Sequence, residues 1–261
     1  SISQIETYGK CPYRYFVERV LNLQGFEEIE ELLTPIERGI LYHEVLYEFY
    51  TEWKKLGKRI SENIDEAKNL IEKIAKEKAN EFQINHPLWK VEISELIKNM
   101  REFIDKEASN NSGFIPAYFE VAFGPKIGPR RKTDVEIFTT EPVQLGKVKI
   151  QGKIDRIDIR NDEFIIYDYK TGKVGVNAKE IESGIHLQIP LYIKIAEEIF
   201  KIKGKEMKGL GGYHYKVRGD VKIETVIIDK RIKRNEKAEE KMLTPEEFRN
   251  KLDESVKKAN E

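Results

Sequence analysis

Apolar residues recur at two different periods along this chain, and the change of period divides it. Over roughly residues 1–112 they return every three or four positions, the rhythm of amphipathic helices. Ser3-Gln4-Ile5-Glu6 reads as a capping box opening a helix that carries Ile5, Tyr8, Tyr15 and Phe16, with Tyr15 and Phe16 expected in the core. Thr34-Pro35-Ile36-Glu37 is a stronger start, with a cap, a proline in the first turn and a glutamate to close the box. The helix it opens places Ile40, His43, Leu46, Tyr47 and Tyr50 on one stripe. Two further helices are predicted over 63–82 and 93–108, separated by Asn85-His86-Pro87.

From residue 113 the rhythm shortens to two, and strands are predicted at 118–123, 148–159, 164–169, 211–217 and 222–228. A helix interrupts them at 187–202, and Thr244-Pro245-Glu246-Glu247 caps a last helix that runs almost to the C-terminus. Residues 124–132 are punctuated by Gly and Pro and read as a loop, where Arg130-Arg131-Lys132 either contacts phosphate or forms a solvated charge cluster. No internal repeat is found. The order predicts an α/β or α+β core with a mixed sheet and an N-terminal helical layer.

The hairpin formed by Gly152–Arg160 and Ile165–Gly172 carries the chemistry. If Asn161-Asp162 is its two-residue turn and Arg160 pairs with Glu163, then Ile157 faces Ile166 and Asp155 lies across from Asp168. Cross-strand neighbours share a face at a Cβ separation of roughly 4.5–5.5 Å. Lys170, two residues beyond Asp168, shares that face, whereas Asp158 falls on the opposite one. Two carboxylates and an ammonium therefore converge at the end of an apolar ridge of Ile157, Ile159, Phe164 and Ile166. Hard divalent ions such as Mg²⁺ or Mn²⁺ prefer oxygen ligands. Asp155, Asp168 and the carbonyl of Tyr169 are the candidate donors, with Lys170 placed to offset charge on a phosphoryl group. The competing reading is a surface hairpin with ordinary ion pairs.

Composition narrows the field. Lys plus Arg and Asp plus Glu both number 46, which argues against a strongly basic coat protein for nucleic acid. One cysteine, Cys11, excludes an intrachain disulfide and any cysteine-only cluster built by this chain, and a small buried apolar role is expected for it. No secretory or membrane-spanning apolar run is present, so a cytoplasmic protein with no membrane partner is expected. The chain starts at Ser1 and enters patterned sequence at once, which suggests a domain excised from a longer protein.

The residues resemble a known family. Ile154-Asp155-Arg156-Ile157-Asp158 followed by Asp168-Tyr169-Lys170-Thr171-Gly172 resembles the PD-(D/E)XK nuclease superfamily. Gly39-Ile40-Leu41-Tyr42-His43 is similar to the G-x-x-x-H helix of its RecB-type, AddB-type and Cas4-like nuclease domains. Gln188-Ile189-Pro190-Leu191-Tyr192 is similar to their Q-x-x-x-Y motif. Cys11-Pro12-Tyr13-Arg14-Tyr15-Phe16 resembles the element near the start of AddB-type domains, and Phe119–Gly124 their glutamate-bearing strand. The matches occur in family order from Ser1 to about Tyr215.

The resemblance implies a restriction-endonuclease-like mixed central sheet flanked by helices, in a single nuclease domain over 1–261. Residues 1–112 would be its mainly helical part and 113–261 its catalytic sheet and flanking helices. It implies metal ligation by His43, Asp155 and Asp168, a catalytic Lys170, and Gln188 and Tyr192 facing the site to position Lys170 or contact the DNA backbone. Glu120 would be an additional acidic group near the ligands. Many relatives carry a four-cysteine iron–sulfur cluster, but this chain has only Cys11, and 230–241 is rich in Lys and Glu, so no cluster is expected. The implied activity is a Mg²⁺- or Mn²⁺-dependent deoxyribonuclease, exonuclease rather than endonuclease, acting on single-stranded DNA or DNA ends with a helicase domain or subunit as partner. The alternative is a catalytically weak or silent module for DNA binding or subunit docking. A small-molecule phosphohydrolase is a third reading, opposed by histidines (His43, His86, His186, His214) that look scattered in the sequence.

Overall fold

The computed structural model describes residues 1–23, 32–125, 133–134, 136–172, 186–232 and 242–261. Arg130, Arg131 and Lys132, and most of the Lys/Glu-rich stretch after Lys230, lie outside the described residues. The N-terminal part contains α1 (Ile2–Lys10), whose Ile2 packs into the core on the Gln188–Ile202 side of the sheet, α2 (Pro12–Tyr15), and a layer of α3 (Pro35–Leu56), α4 (Ile64–Glu81) and α5 (Trp89–Ala108) on the other side. Next come β1 (Ile115–Phe123), β2 (Val143–Leu145), β3 (Val148–Ile150), β4 (Gly152–Arg160) and β5 (Glu163–Lys170). The chain continues with α6 (Gln188–Ile202), β6 (Lys208–Lys216), β7 (Lys222–Asp229), β8 (Met242–Leu243) and α7 (Pro245–Asn260). Among the described residues no helix is long and apolar enough to cross a membrane.

The main sheet runs in the order β1-β4-β5-β6-β7-β8, and β2 and β3 form a separate two-stranded sheet among the described residues. It is mixed: β1/β4, β4/β5 and β6/β7 are antiparallel, whereas β5/β6 and β7/β8 are parallel. This is the α/β, restriction-endonuclease-like architecture. Successive strand residues point to opposite faces, so the sheet divides two apolar cores. One face packs Tyr167, Tyr213 and Tyr215 against α3, α4 and α5 through Leu46, Phe49 and Phe103. The other packs Ile157, Phe164 and Ile166 against α6 and α7 through Ile193, Ile199 and Phe248.

The parallel pairing of β5 with β6 requires a crossover, and α6 is its described helix. That crossover carries the start of α6 back over the C-terminal end of β5. The helix lies unusually close to β6, because a Cβ on Gly209 would meet Ile193 and one on Gly212 would meet Ile189. Glycine at these two positions is what allows the approach.

Several local expectations shift. The cap of α1 is Ser1, not Ser3, and its backbone nitrogen contacts Gln4 Oε1 at 2.6 Å. Phe16 is exposed and Tyr15 only partly buried, because this short helical segment has no layer above it among the described residues. Cys11 is likewise half-buried rather than core, and its Sγ accepts the Arg14 N–H as the cap of α2. The buried face of α3 is Leu41, Tyr42, Val45, Leu46, Phe49, Tyr50 and Trp53. Ile40 is thus exposed, and His43 sits at the edge of the packed stripe. The strand predicted over 148–159 breaks at Gln151, with its first part pairing β2 and its second joining the main sheet.

Candidate active site

The hairpin register is the predicted one where it is paired: Arg160↔Glu163, Ile157↔Ile166 and Arg156↔Tyr167. Asn161 turns the corner in the left-handed region, with φ 56°. Beyond Arg156 the structure departs from a continuous ladder. In place of a backbone acceptor, the carboxylate of Asp155 takes the Tyr169 N–H, at 2.8 Å from Oδ2. Asp155 is thereby fixed at the point where the two strands part.

The strand on its other side brings Glu120. In the β1/β4 register, Phe119 faces Arg156 and Val121 faces Ile154, so Glu120 lies beside Asp155. Its φ of 54° is the left-handed region within a strand, where a residue with a Cβ carries a strain of about 1–3 kcal/mol. Thr133 clasps the bend, donating from Oγ1 to the Glu120 carbonyl (2.8 Å) and accepting from the Ala122 N–H (3.0 Å). The Glu120 side chain pairs with Lys153 and lies 3.2 Å from His43 Nδ1. The same His43 nitrogen is 3.4 Å from Asp155 Oδ1.

His43, Glu120 and Asp155 thus offer three ligand atoms within 4.8 Å of one another. Around an ion with bonds of about 2.1 Å, octahedral donors stand roughly 3–4 Å apart, so this set fits a Mg²⁺-sized cation with small adjustments. Electrostatics agree. Burial pushes the Asp155 carboxyl up to about 7, reinforced by Asp168 and Glu120 and opposed by His43. Burial would lower His43, but the Asp155 and Glu120 carboxylates overcome it and raise the imidazole to about 9. Glu120 is held below the usual range because His43 and Lys153 outweigh its burial. A proton on His43 therefore neutralises an anionic nest that a divalent cation would neutralise better.

Asp168 belongs to an adjoining set. Its Oδ1 accepts from Gln188 Nε2 at 2.9 Å, and its Oδ2 is 2.6 Å from Lys170 Nζ. Lys170 also donates to Gln188 Oε1 (3.0 Å), and Gln188 Nε2 reaches the Tyr192 hydroxyl at 3.2 Å. Burial would lower the Lys170 ammonium, but the Asp168 and Asp155 carboxylates raise it, so it stays charged. Burial also lifts Tyr192 well above the ordinary phenol range, which keeps its hydroxyl protonated. Asp158 is on the opposite face, locked to Arg156 at 2.6 Å.

Three neighbours of the site escape a reading of the sequence. Lys153 shares the Asp155 face two residues away, a signal present in the alternation. Glu6 of α1 accepts from the N–H groups of Leu187 (2.8 Å) and Gln188 (3.0 Å), pinning the start of α6, and no local pattern announces it. His214 of β6 is the register partner of Asp168, with Nε2 at 3.8 Å from Oδ2. The histidines are therefore not all scattered: His43 and His214 flank the same carboxylate cluster from different elements.

Similarity to known proteins points the same way as this geometry. The PD-(D/E)XK nuclease superfamily matches residues 1–261. The chain is 28% identical over 229 residues to an ATP-dependent helicase/deoxyribonuclease subunit of Carboxydothermus hydrogenoformans, an alignment covering 83% of this chain and 20% of that protein. It is 26% identical over 226 residues to the protein of the same name from Clostridium tetani, covering 81% of this chain and 19% of the relative. It is 28% identical over 230 residues to that from Clostridium novyi, covering 82% and 19%. The chain spans about a fifth of the length of these relatives.

Proposed function

The chain belongs to the PD-(D/E)XK nuclease superfamily, and from that membership we propose that it is a Mg²⁺- or Mn²⁺-dependent deoxyribonuclease. Its substrates are single-stranded DNA or DNA ends, which it cuts as an exonuclease alongside a helicase partner. The name its relatives share, ATP-dependent helicase/deoxyribonuclease, supports the partner and the substrate class. The observation that carries the chemistry is the convergence of His43, Glu120 and Asp155 within 4.8 Å, beside the Lys170–Asp168 ion pair.

In this reading His43, Glu120 and Asp155 hold the metal, and Asp168 and the carbonyl of Tyr169 complete an oxygen-rich set. When bound, the ion supplies Lewis acidity at the scissile phosphate and makes nearby water a better nucleophile. Lys170 acts as a charged donor, placed beside Asp168 to orient the attacking water and offset charge on the phosphoryl oxygens. Gln188 holds Lys170 and Asp168 together, and Tyr192 buttresses Gln188 or donates to the DNA backbone. Without a cysteine partner for Cys11 in the chain, no iron–sulfur cluster is assigned.

The test is digestion of end-labelled single-stranded and duplex DNA with Mg²⁺, with Mn²⁺ and with a chelator. Metal-dependent release of nucleotides or short oligomers, lost in Lys170→Ala with folding intact, is the expected outcome. A folded wild-type protein that binds DNA but cuts none of these substrates with either metal sinks the enzyme and leaves the docking module.

A further inference from the structure

Asp168 presents an unequal pair of oxygens. Oδ1 is held by a hydrogen bond from Gln188, whereas Oδ2 is closed to solvent and is held by Lys170. Only the charge of Lys170, 2.6 Å away, compensates it. A buried carboxylate oxygen deprived of its partner is costly, and here water does not reach it. Yet in the reading given above Lys170 must serve the attacking water and the phosphate, which draws its ammonium off Asp168.

One further side chain stands at that oxygen. β6 pairs with β5 in parallel so that His214 is the direct neighbour of Asp168, and Nε2 lies 3.8 Å from Oδ2. His214 is buried, and among the described residues its Nδ1 has no hydrogen-bond partner. The groups facing it are Asp168 and Lys170 on β5, its register partner Glu224 on β7, and His186 just before α6. The imidazole offers a hydrogen-bond donor on the side of Asp168 away from His43. The carboxylate beside Nε2 favours the tautomer with hydrogen on that nitrogen.

We propose that His214 is a positioning residue for Asp168: its Nε2–H closes onto Oδ2 as Lys170 turns to the scissile phosphate, keeping the carboxylate in one orientation. This rests on the assigned role of Lys170, and it gives the strand after the catalytic hairpin a part in the reaction. Loss of such a supporting contact typically costs roughly 10–100-fold in activity or metal affinity.

The experiment compares His214→Leu, which removes the donor, with His214→Gln, which restores one. His214→Leu should lower kcat about tenfold or more with KM for DNA little changed, and weaken Mn²⁺ binding by calorimetry by a similar factor. His214→Gln should keep both within about threefold of wild type, with thermal midpoints of the two variants alike. Nitrogen NMR of metal-free wild-type protein should show His214 as the Nε2–H tautomer, a readout independent of nuclease activity. An Nδ1–H tautomer overturns the proposal, as do equal losses in both variants or wild-type behaviour in His214→Leu. A wild-type protein inert on DNA but showing the Mn²⁺ and tautomer pattern would instead count against the nuclease assignment alone.

Discussion

At the scale of single residues, the cluster of His43, Glu120 and Asp155 is a problem of excess negative charge that protons offset. Asp155 and His43 both bind a proton more tightly in the folded chain than in the unfolded one, the first because of burial, the second because of its carboxylate neighbours. For Asp155 the stabilisation is complete below its unfolded value of 3.8 and is lost as pH rises through about 7. For His43 it is complete below 6.5 and is lost as pH rises through about 9. The two act in the same direction. Metal-free protein should therefore melt at a lower temperature at pH 9 than at pH 6, and Asp155→Asn should flatten that fall, since it removes one titrating carboxyl and the main charge that raises His43. Scanning calorimetry with a chelator present reads both; a midpoint that rises over this interval contradicts the charge balance described. Because a metal displaces these protons, Mn²⁺ affinity should rise with pH over the same range, which titration at pH 6 and pH 8 checks. Lys170→Ala should lower kcat by about 10²–10³ in single-turnover assays at saturating Mg²⁺, the size seen for loss of one charge-stabilising donor. Its stability should also fall, by about 1–3 kcal/mol, because the change leaves the buried Asp168 Oδ2 without the ammonium 2.6 Å away, and circular dichroism checks that the variant is still folded.

At the scale of elements, the position of α6 decides whether Gln188 meets Lys170 and Asp168. Two devices set it: the glycines of β6 beneath it, and the Glu6 carboxylate at its first turn. Gly212→Ala must push Ile189 away, so it should destabilise by about 1–3 kcal/mol in urea titration. It should also lower kcat, since Gln188 is the residue before Ile189. A variant with unchanged kcat would show that the helix can move without disturbing the site. The caps of α3 and α7 are readable from Thr34-Pro35-Ile36-Glu37 and Thr244-Pro245-Glu246-Glu247, because a capping box is closed within four residues. The cap of the first helix lies two positions before the predicted one because Ser1 and Ser3 carry the same chemistry. Contact with the rest of the helix chooses between them.

At the scale of the whole molecule, the sheet divides two cores, and a buried ionic cluster lies on the face covered by α3 and α5. Arg156 is fully buried between the rings of Tyr50 and Tyr167, paired with Asp158 and with Glu107 at 2.8 Å. Removing it strands two buried carboxylates, and Arg156→Ala should cost about 3–5 kcal/mol in denaturant unfolding, or fail to fold. The three groups that could hold a metal ion, His43, Glu120 and Asp155, come from α3, β1 and β4, so an Mg²⁺ or Mn²⁺ ion held there as proposed would bind the folded chain alone. At a hundredfold excess over its dissociation constant it should therefore stabilise the protein by about 2.7 kcal/mol, an increment absent from Asp155→Asn.

The sequence by itself determined the register of the β4/β5 hairpin. Strand alternation has a period of two, and a two-residue turn leaves one register, so Asp155, Asp168 and Lys170 had to share a face. It also determined the family, through an ordered set of short motifs. Only the tertiary structure decided what surrounds that hairpin. His43 and Glu120 are 77 residues apart, and Glu6 is 181 residues from the Leu187 N–H it accepts. No local periodicity encodes such distances. Packing of α3 against one face and α6 against the other brings these groups to the place where β4 and β5 part. The same parallel pairing of β5 and β6 puts His214 beside Asp168, a juxtaposition created by a crossover and so invisible to any reading along the chain.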